Sequence, residues 1–270
     1  MQITLVIPCY NEESAIGPCL DAVVAQTRQF DEILVVDNNS TDGTRAVVEQ
    51  YVDKLPIRVL SESRQGVAWA SQHGYDMACG DVIARIDADT RMERSWAAVV
   101  EEYLSTHSEI DGVGGFCWFY DMSFLSMRKG AFARAEKFGA ESSGPRRMLG
   151  GNNMAIRRSA WVAAKTCVKN LPGTHEDIDL TYALLDTGSR LSSLPGMLVG
   201  LSPRRYMVSP KSLLREMVAV LRTQHAHGRQ KDAIMYAVFM PFNLVVASVL
   251  GLVARRGDAS REDRVSPVTR

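Results

Sequence analysis

Cysteine is scarce in this chain, five in 270 residues, with no CxxC pair and no dense cluster. That excludes a disulfide-stapled scaffold and a cysteine-built structural zinc site, and it points to reduced thiols in a cytosolic setting. Net charge is missing as well, with 31 basic residues against 31 acidic ones. No internal repeat or low-complexity tract is present. The hydrophobic share of 46% and the charged share of 23% exclude a disordered or collagen-like chain. The opening run MQITLVIPCYNEE lacks the basic region and unbroken apolar core of a secretory signal, and reads as a first strand. A chain of this length makes two ordinary domains, or one large α/β domain with an appendage.

The zero balance hides a polarity. Residues 1–120 hold 19 acidic and 8 basic side chains, and residues 121–270 hold 12 and 23. Two surfaces with different partners are implied: an acidic half suited to a metal ion, and a basic half suited to phosphates or an anionic membrane. Nucleic acid is not among the expected partners.

Strand-like and helical patterns alternate along the first ninety residues. Strands are expected at 3–8, 32–37, 57–61 and 81–89, and helices at 12–28, 44–52 and 67–78. Such alternation predicts βαβ crossovers and a mostly parallel sheet, whose ligands bind beyond the carboxyl ends of the strands. Further on, a helix is expected at 96–104, strands at 113–120 and 153–158, and a helix at 176–188 that stops at Gly188. Residues 121–150 read as a connection.

Polar residues gather where strands end. Asp87-Ala88-Asp89 closes an apolar strand, and two carboxylates at i and i+2 of an extended chain point to one side. Their repulsion is relieved by a hard divalent cation, Mg²⁺ or Mn²⁺, which also bridges a diphosphate. A solvated acidic turn is the plain alternative. Asp37 ends the second strand and Tyr10-Asn11-Glu12 follows the first, so three polar strand ends fall on one rim. Capping of the next helix is the plain role for Asn11 or Ser40.

These segments resemble the family 2 glycosyltransferases: Val6-Ile7-Pro8-Cys9-Tyr10-Asn11-Glu12, then Val35 to Thr44, then Gly80-Asp81 leading to Ile86-Asp87-Ala88-Asp89. The resemblance covers residues 1–95 and continues loosely through Gly150-Gly151-Asn152-Asn153 and His175-Glu176-Asp177. It implies a GT-A fold: a Rossmann-like, mostly parallel sheet flanked by helices over residues 1–200. It further implies inverting, metal-dependent transfer of a single hexose from a nucleoside-diphosphate sugar. By the resemblance, Asp37 binds the base, while Pro8, Tyr10 and Glu12 shape the nucleoside pocket. Asp87 touches ribose or metal-bound water, and Asp89 holds the metal. Asp177 is the general base beside Glu176, Asn152 and Asn153 lie on the acceptor side, and Arg64 stands in for a missing diphosphate contact. A late metal-binding His of some relatives is absent around Leu201-Ser202. A catalytically silent nucleotide-sugar binder or membrane scaffold is the rival reading. A sugar nucleotidyltransferase is a weaker rival, because no Gly-rich basic loop follows the first strand.

The C-terminal part is an appendage over 201–257 and a polar tail over 258–270. Seven Lys/Arg and one Glu lie between Arg204 and Lys231, and 22 uncharged residues run from Ala233 to Ala254. A helix of that run is about 33 Å long, enough for a bilayer core of about 30 Å. Pro241, Asn243 and bases at both ends argue for an in-plane or re-entrant helix over a plain span. A buried helix or a dimer contact is the alternative. The membrane reading places the protein in the cytoplasm at the inner face of the cell membrane. It also makes the acceptor lipid-linked or a cell-envelope glycan precursor.

Overall fold

The computed structural model describes residues 1–120, 148–202, 204 and 208–257. Strands β1 (Ile3–Cys9), β2 (Glu32–Asp37) and β3 (Ile57–Ser61) run parallel, with helices α1 (Ile16–Val24) and α2 (Thr44–Glu49) as crossovers. After α3 (Val67–Met77), β4 (Val82–Arg85) adds to the other side of β1, again parallel. β1 is buried along its whole length, as expected of a strand covered on both faces. Ile3, Leu5 and Ile7 pack toward α1 and Trp96, while Val6, Leu34, Val36 and Ile83 pack toward Ala70, Tyr75 and Trp161.

The second half completes one mixed sheet. A two-residue β5 (Arg91–Met92) precedes α4 (Trp96–Thr106) and β6 (Gly112–Phe119). Then come β7 (Met154–Arg157), α5 (Arg158–Ala164), α6 (Glu176–Asp186) and β8 (Leu191–Leu201). The strand order is β3-β2-β1-β4-β7-β6-β8-β5. β7 is antiparallel to both β4 and β6, and β8 is parallel to β6. Gly188 follows α6 with φ of 85°, a left-handed stop that suits glycine.

Two boundaries that bear on the site differ from expectation. α1 begins at Ile16 rather than residue 12, because Glu12 is spent on a turn whose carbonyl accepts from the Ala15 and Ile16 N–H groups. β4 stops at Arg85 rather than Asp89: the chain leaves the sheet, and the Thr90 N–H closes a turn on the Asp87 carbonyl at 3.0 Å. Asp87 and Asp89 therefore sit on a turn, so strand alternation does not set their directions. α5 and β8 were not foreseen; Pro195, Gly196 and Gly200 interrupt the strand pattern of β8. The connection expected over 121–150 lies outside the described residues as far as 147, as does the tail over 258–270.

Beyond the sheet, α7 (Pro210–Ala226) turns at Gly228 into α8 (Gln230–Gly257) and packs along it. Ser209 caps α7, its hydroxyl accepting from the Ser212 N–H at 3.2 Å. α8 is long and apolar enough to cross a bilayer. It is not a helix buried to close the domain: Ile234, Val238, Phe239, Phe242, Val245 and Val249 are all exposed, Val238 at 69%.

Candidate functional site

The rim is built from two turns stitched together at the carboxyl ends of β1 and β2. Asn11 and Asn39 both take left-handed backbones, φ 53° and 65°, which asparagine tolerates better than other side-chain-bearing residues. The Asn11 N–H donates to Ser40 Oγ at 3.1 Å, and the Thr41 N–H donates to Asn11 Oδ1 at 2.8 Å. The Glu12 N–H donates to Thr44 Oγ1 at 2.8 Å. Asn11 and Ser40 thus join loop to loop, and the caps of α1 and α2 are Ala15 and Gly43 instead. Asp37 stands beside Cys9 in the sheet register and accepts the Ser40 N–H at 3.1 Å. Pro8 is buried on β1 opposite Val36, and Tyr10 is half-buried at the exit of that strand.

Two arginines organise the acidic side chains. Arg204, just past β8, reaches back to the first and fourth strand ends. Its Nη2 donates to Asp89 Oδ2 at 2.7 Å and to Glu12 Oε1 at 3.1 Å. Its Nη1 lies 2.9 Å from Glu12 Oε2. Burial raises the Glu12 carboxyl above its ordinary value, with the guanidinium working against that rise. Burial opposes the charge of Arg204, but Asp89 and Glu12 more than reverse it. The Tyr120 hydroxyl donates to the Asp89 carbonyl at 3.0 Å and steadies the turn.

Arg85 ends β4 with its side chain 2% exposed. Its guanidinium pairs with Asp177, donates to Asp87 Oδ1 at 3.0 Å and lies 3.7 Å from Glu176 Oε1. Burial works against this cation, and the carboxylates around it, Asp177 foremost, lift its pKa well above the ordinary value. So Asp87, Glu176 and Asp177 meet around the buried Arg85, and Glu12 and Asp89 around the half-buried Arg204.

α6, which presents Glu176 and Asp177, is anchored from behind. Asp179 accepts the N–H groups of Lys169 and Asn170 at 2.9 and 2.6 Å and pairs with His227 Nε2 at 2.7 Å. The His175 N–H donates to Thr223 Oγ1 at 2.7 Å, and Thr181 Oγ1 accepts the Leu149 N–H at 3.1 Å, tying the Gly150-Gly151 loop to the same helix.

The remaining expected residues stand apart from this cluster. Asn153 is buried and fully used: its Oδ1 accepts from Trp96 Nε1 at 2.8 Å, and its Nδ2 donates to the Phe116 and Met197 carbonyls. That is the bonding of a strut between three elements. Asn152 is half-buried on the turn before it. Arg64 lies over the Trp69 ring at 4.1 Å and pairs with Glu62 through Nε at 3.0 Å.

Among the described residues no group of three His, Cys, Asp or Glu side chains is placed to hold a metal ion. The β4–β5 turn offers two carboxylates, Asp87 and Asp89. The remaining ligands of a hard cation would be diphosphate oxygens and water, the usual mode for Mg²⁺ at phosphates. The donor set fits such a shared site, with each carboxylate already engaged by an arginine.

Sequence reasoning missed both arginines. Arg85 left a signal, a lone charge inside the apolar run Val82-Ile83-Ala84-Arg85-Ile86. Arg204 left none, being one base among seven.

The model of the family described as Glycosyl transferase family 2 matches residues 4–161. The lipopolysaccharide core biosynthesis glycosyltransferase LpsC of Rhizobium meliloti is 33% identical over 113 residues, 42% of this chain and 40% of that protein. The dodecaprenyl-phosphate galacturonate synthase of Rhizobium johnstonii is 35% identical over 95 residues, 33% of this chain and 28% of that protein. The chain thus matches less than half the length of these relatives. Among solved structures, the mannosyltransferase PcManGT of Pyrobaculum calidifontis, in complex with GDP-Man and Mn²⁺, superposes with a TM-score of 0.66 at 20% identity. That match covers 96% of this chain and 75% of the other, and it shows a shared GT-A fold.

Proposed function

Since the chain belongs to glycosyl transferase family 2 and is a glycosyltransferase, we propose that it moves one hexose from a nucleoside-diphosphate sugar to an acceptor hydroxyl, with inversion. The observation that carries this reading is the meeting of Glu12, Asp87, Asp89, Glu176 and Asp177 around two arginines at one strand-end rim. Asp37, Pro8, Tyr10 and Glu12 line the side of the base and ribose. Asp89, with Asp87, would hold Mg²⁺ or Mn²⁺, and such an ion would supply charge neutralisation for a nucleoside-diphosphate leaving group. Asp177 takes the proton of the attacking hydroxyl from the opposite face of the sugar, and a single base of this kind leads to inversion. Arg85 fixes the direction of Asp177 and leaves Glu176 beside it.

The acceptor is a lipid-linked or cell-envelope glycan precursor, met at the cytoplasmic face of the membrane through residues 204–256. Support comes from the exposed apolar side chains of α8, and from relatives whose names refer to lipopolysaccharide core and dodecaprenyl phosphate. The helical pair lies in the plane of the interface. α7 packs along α8 and carries Lys211, Arg215, Glu216 and Arg222, so a perpendicular α8 would carry those charges into hydrocarbon.

A thermal-shift screen of UDP-, GDP- and dTDP-hexoses with and without Mn²⁺ tests the donor reading. A ligand at one hundred times its Kd stabilises by about 2.7 kcal/mol, so a single preferred donor is expected to stand out, and only with Mn²⁺. An equal, metal-independent response to every nucleotide contradicts the proposal.

A further inference from the structure

Arg204 is out of place for a residue that merely closes the fold. It lies 115 residues from Asp89 and 192 from Glu12, and its guanidinium bonds both. Nε and Nη2 converge on the same oxygen, Asp89 Oδ2, at 3.2 and 2.7 Å. Only one-fifth of its side chain is exposed, and the two carboxylates are buried to a similar extent. In this half-buried setting a divalent ion on Asp89 would meet the guanidinium at close range. Two cations sharing one carboxylate repel strongly where water screens them poorly. A guanidinium released from a carboxylate has the planar fork that suits phosphate oxygens.

We infer that Arg204 is a built-in counter-cation of the donor site, which competes with the divalent ion for Asp89 while the donor is absent and passes to the diphosphate when it binds. The inference rests on the proposed metal-dependent reading. Arg204 then keeps Glu12 and Asp89 together in the empty site, delays metal loading until nucleotide arrives, and afterwards binds the diphosphate itself. No bond is made or broken in the exchange, only ion pairs.

The test uses the full chain, with Mn²⁺ binding followed by electron paramagnetic resonance and UDP and GDP binding by calorimetry. In Arg204→Gln, Mn²⁺ alone is expected to bind about fivefold tighter or more. At saturating Mn²⁺, the nucleoside diphosphate preferred by the wild type is expected to bind about tenfold weaker. A residue with a merely structural role would not move the two affinities in opposite directions. Arg204→Lys keeps the charge without the fork; it should hold Mn²⁺ affinity near wild type while nucleotide affinity stays low. Unchanged or weaker Mn²⁺ binding in Arg204→Gln overturns the competition, and unchanged nucleotide affinity overturns the transfer to diphosphate. If neither protein binds Mn²⁺ even with UDP or GDP present, the metal-dependent reading fails and takes this inference with it.

Discussion

The Arg85 guanidinium occupies the space that a side chain at Gly151 would need: a Cβ there would overlap both Arg85 and the carboxylate of Asp177. The glycine lets a buried cation reach from the end of β4 to the start of α6. Substituting Gly151→Ala forces that cation aside in a closely packed interior. The expected cost is about 1–3 kcal/mol, as for other overpacked sites. It is to be read as a lower urea midpoint, with a fall in turnover beyond what the unfolded fraction explains. A variant with unchanged stability and rate would show that Arg85 has room to spare.

Asp177, paired with Arg85, is the proposed proton acceptor. Replacing it by Asn keeps the shape and removes the charge, so kcat is expected to fall by about 100-fold or more while the donor KM stays within a few-fold. Initial rates at saturating donor decide this. A loss confined to donor KM would move Asp177 from the acceptor side to the nucleotide side.

Acid sensitivity should have a traceable source in Glu62. The hydrogen bonds from the Arg64 side chain bring this buried carboxyl down from 4.5 to about 2. A depressed value in the folded state means the stabilisation is complete above pH 4.5 and drains away as pH falls toward 2. Glu62→Gln should therefore be less stable than wild type at neutral pH, with the gap closing across that window in urea midpoints. Parallel curves would place the acid-labile group elsewhere; Asp31 and Glu101, also lowered and both paired with Arg28, are the next to examine.

Membrane contact is expected to depend on the bare face of α8. Phe239 and Phe242 are exposed at 57% and 67%. Placing Glu at both should abolish flotation with anionic vesicles, because each removes an exposed apolar ring available to the interface and adds repulsion from the headgroups. The fold should be unaffected, since neither side chain packs in the core. Flotation equal to wild type would turn this face toward a protein partner.

The first four strands were legible because each is a short apolar run closed by polar turn residues, and Asp37 and Asp87-Ala88-Asp89 stood out as the acidic residues where such runs give out. What local pattern could not supply was whatever is decided at long range. Arg204 meets Glu12 and Asp89 only after β8 has crossed the sheet, and β8 itself is masked by Pro195 and two glycines. Asn153 reads as an acceptor-side residue at the start of a strand, yet three elements converge on it and consume both ends of its amide. β4 stops at Arg85 and the turn after it closes on the Asp87 carbonyl, where the apolar run alone would have continued as strand.

The central claim is that Asp89 grips a diphosphate through a divalent ion, and calorimetric titration of UDP and GDP into wild type and Asp89→Ala, with and without Mn²⁺, tests it most directly. One nucleotide should bind the wild type at least about tenfold tighter with Mn²⁺, and the substitution should erase that gain. Equal affinity with and without the metal, or the same gain in Asp89→Ala, would contradict it.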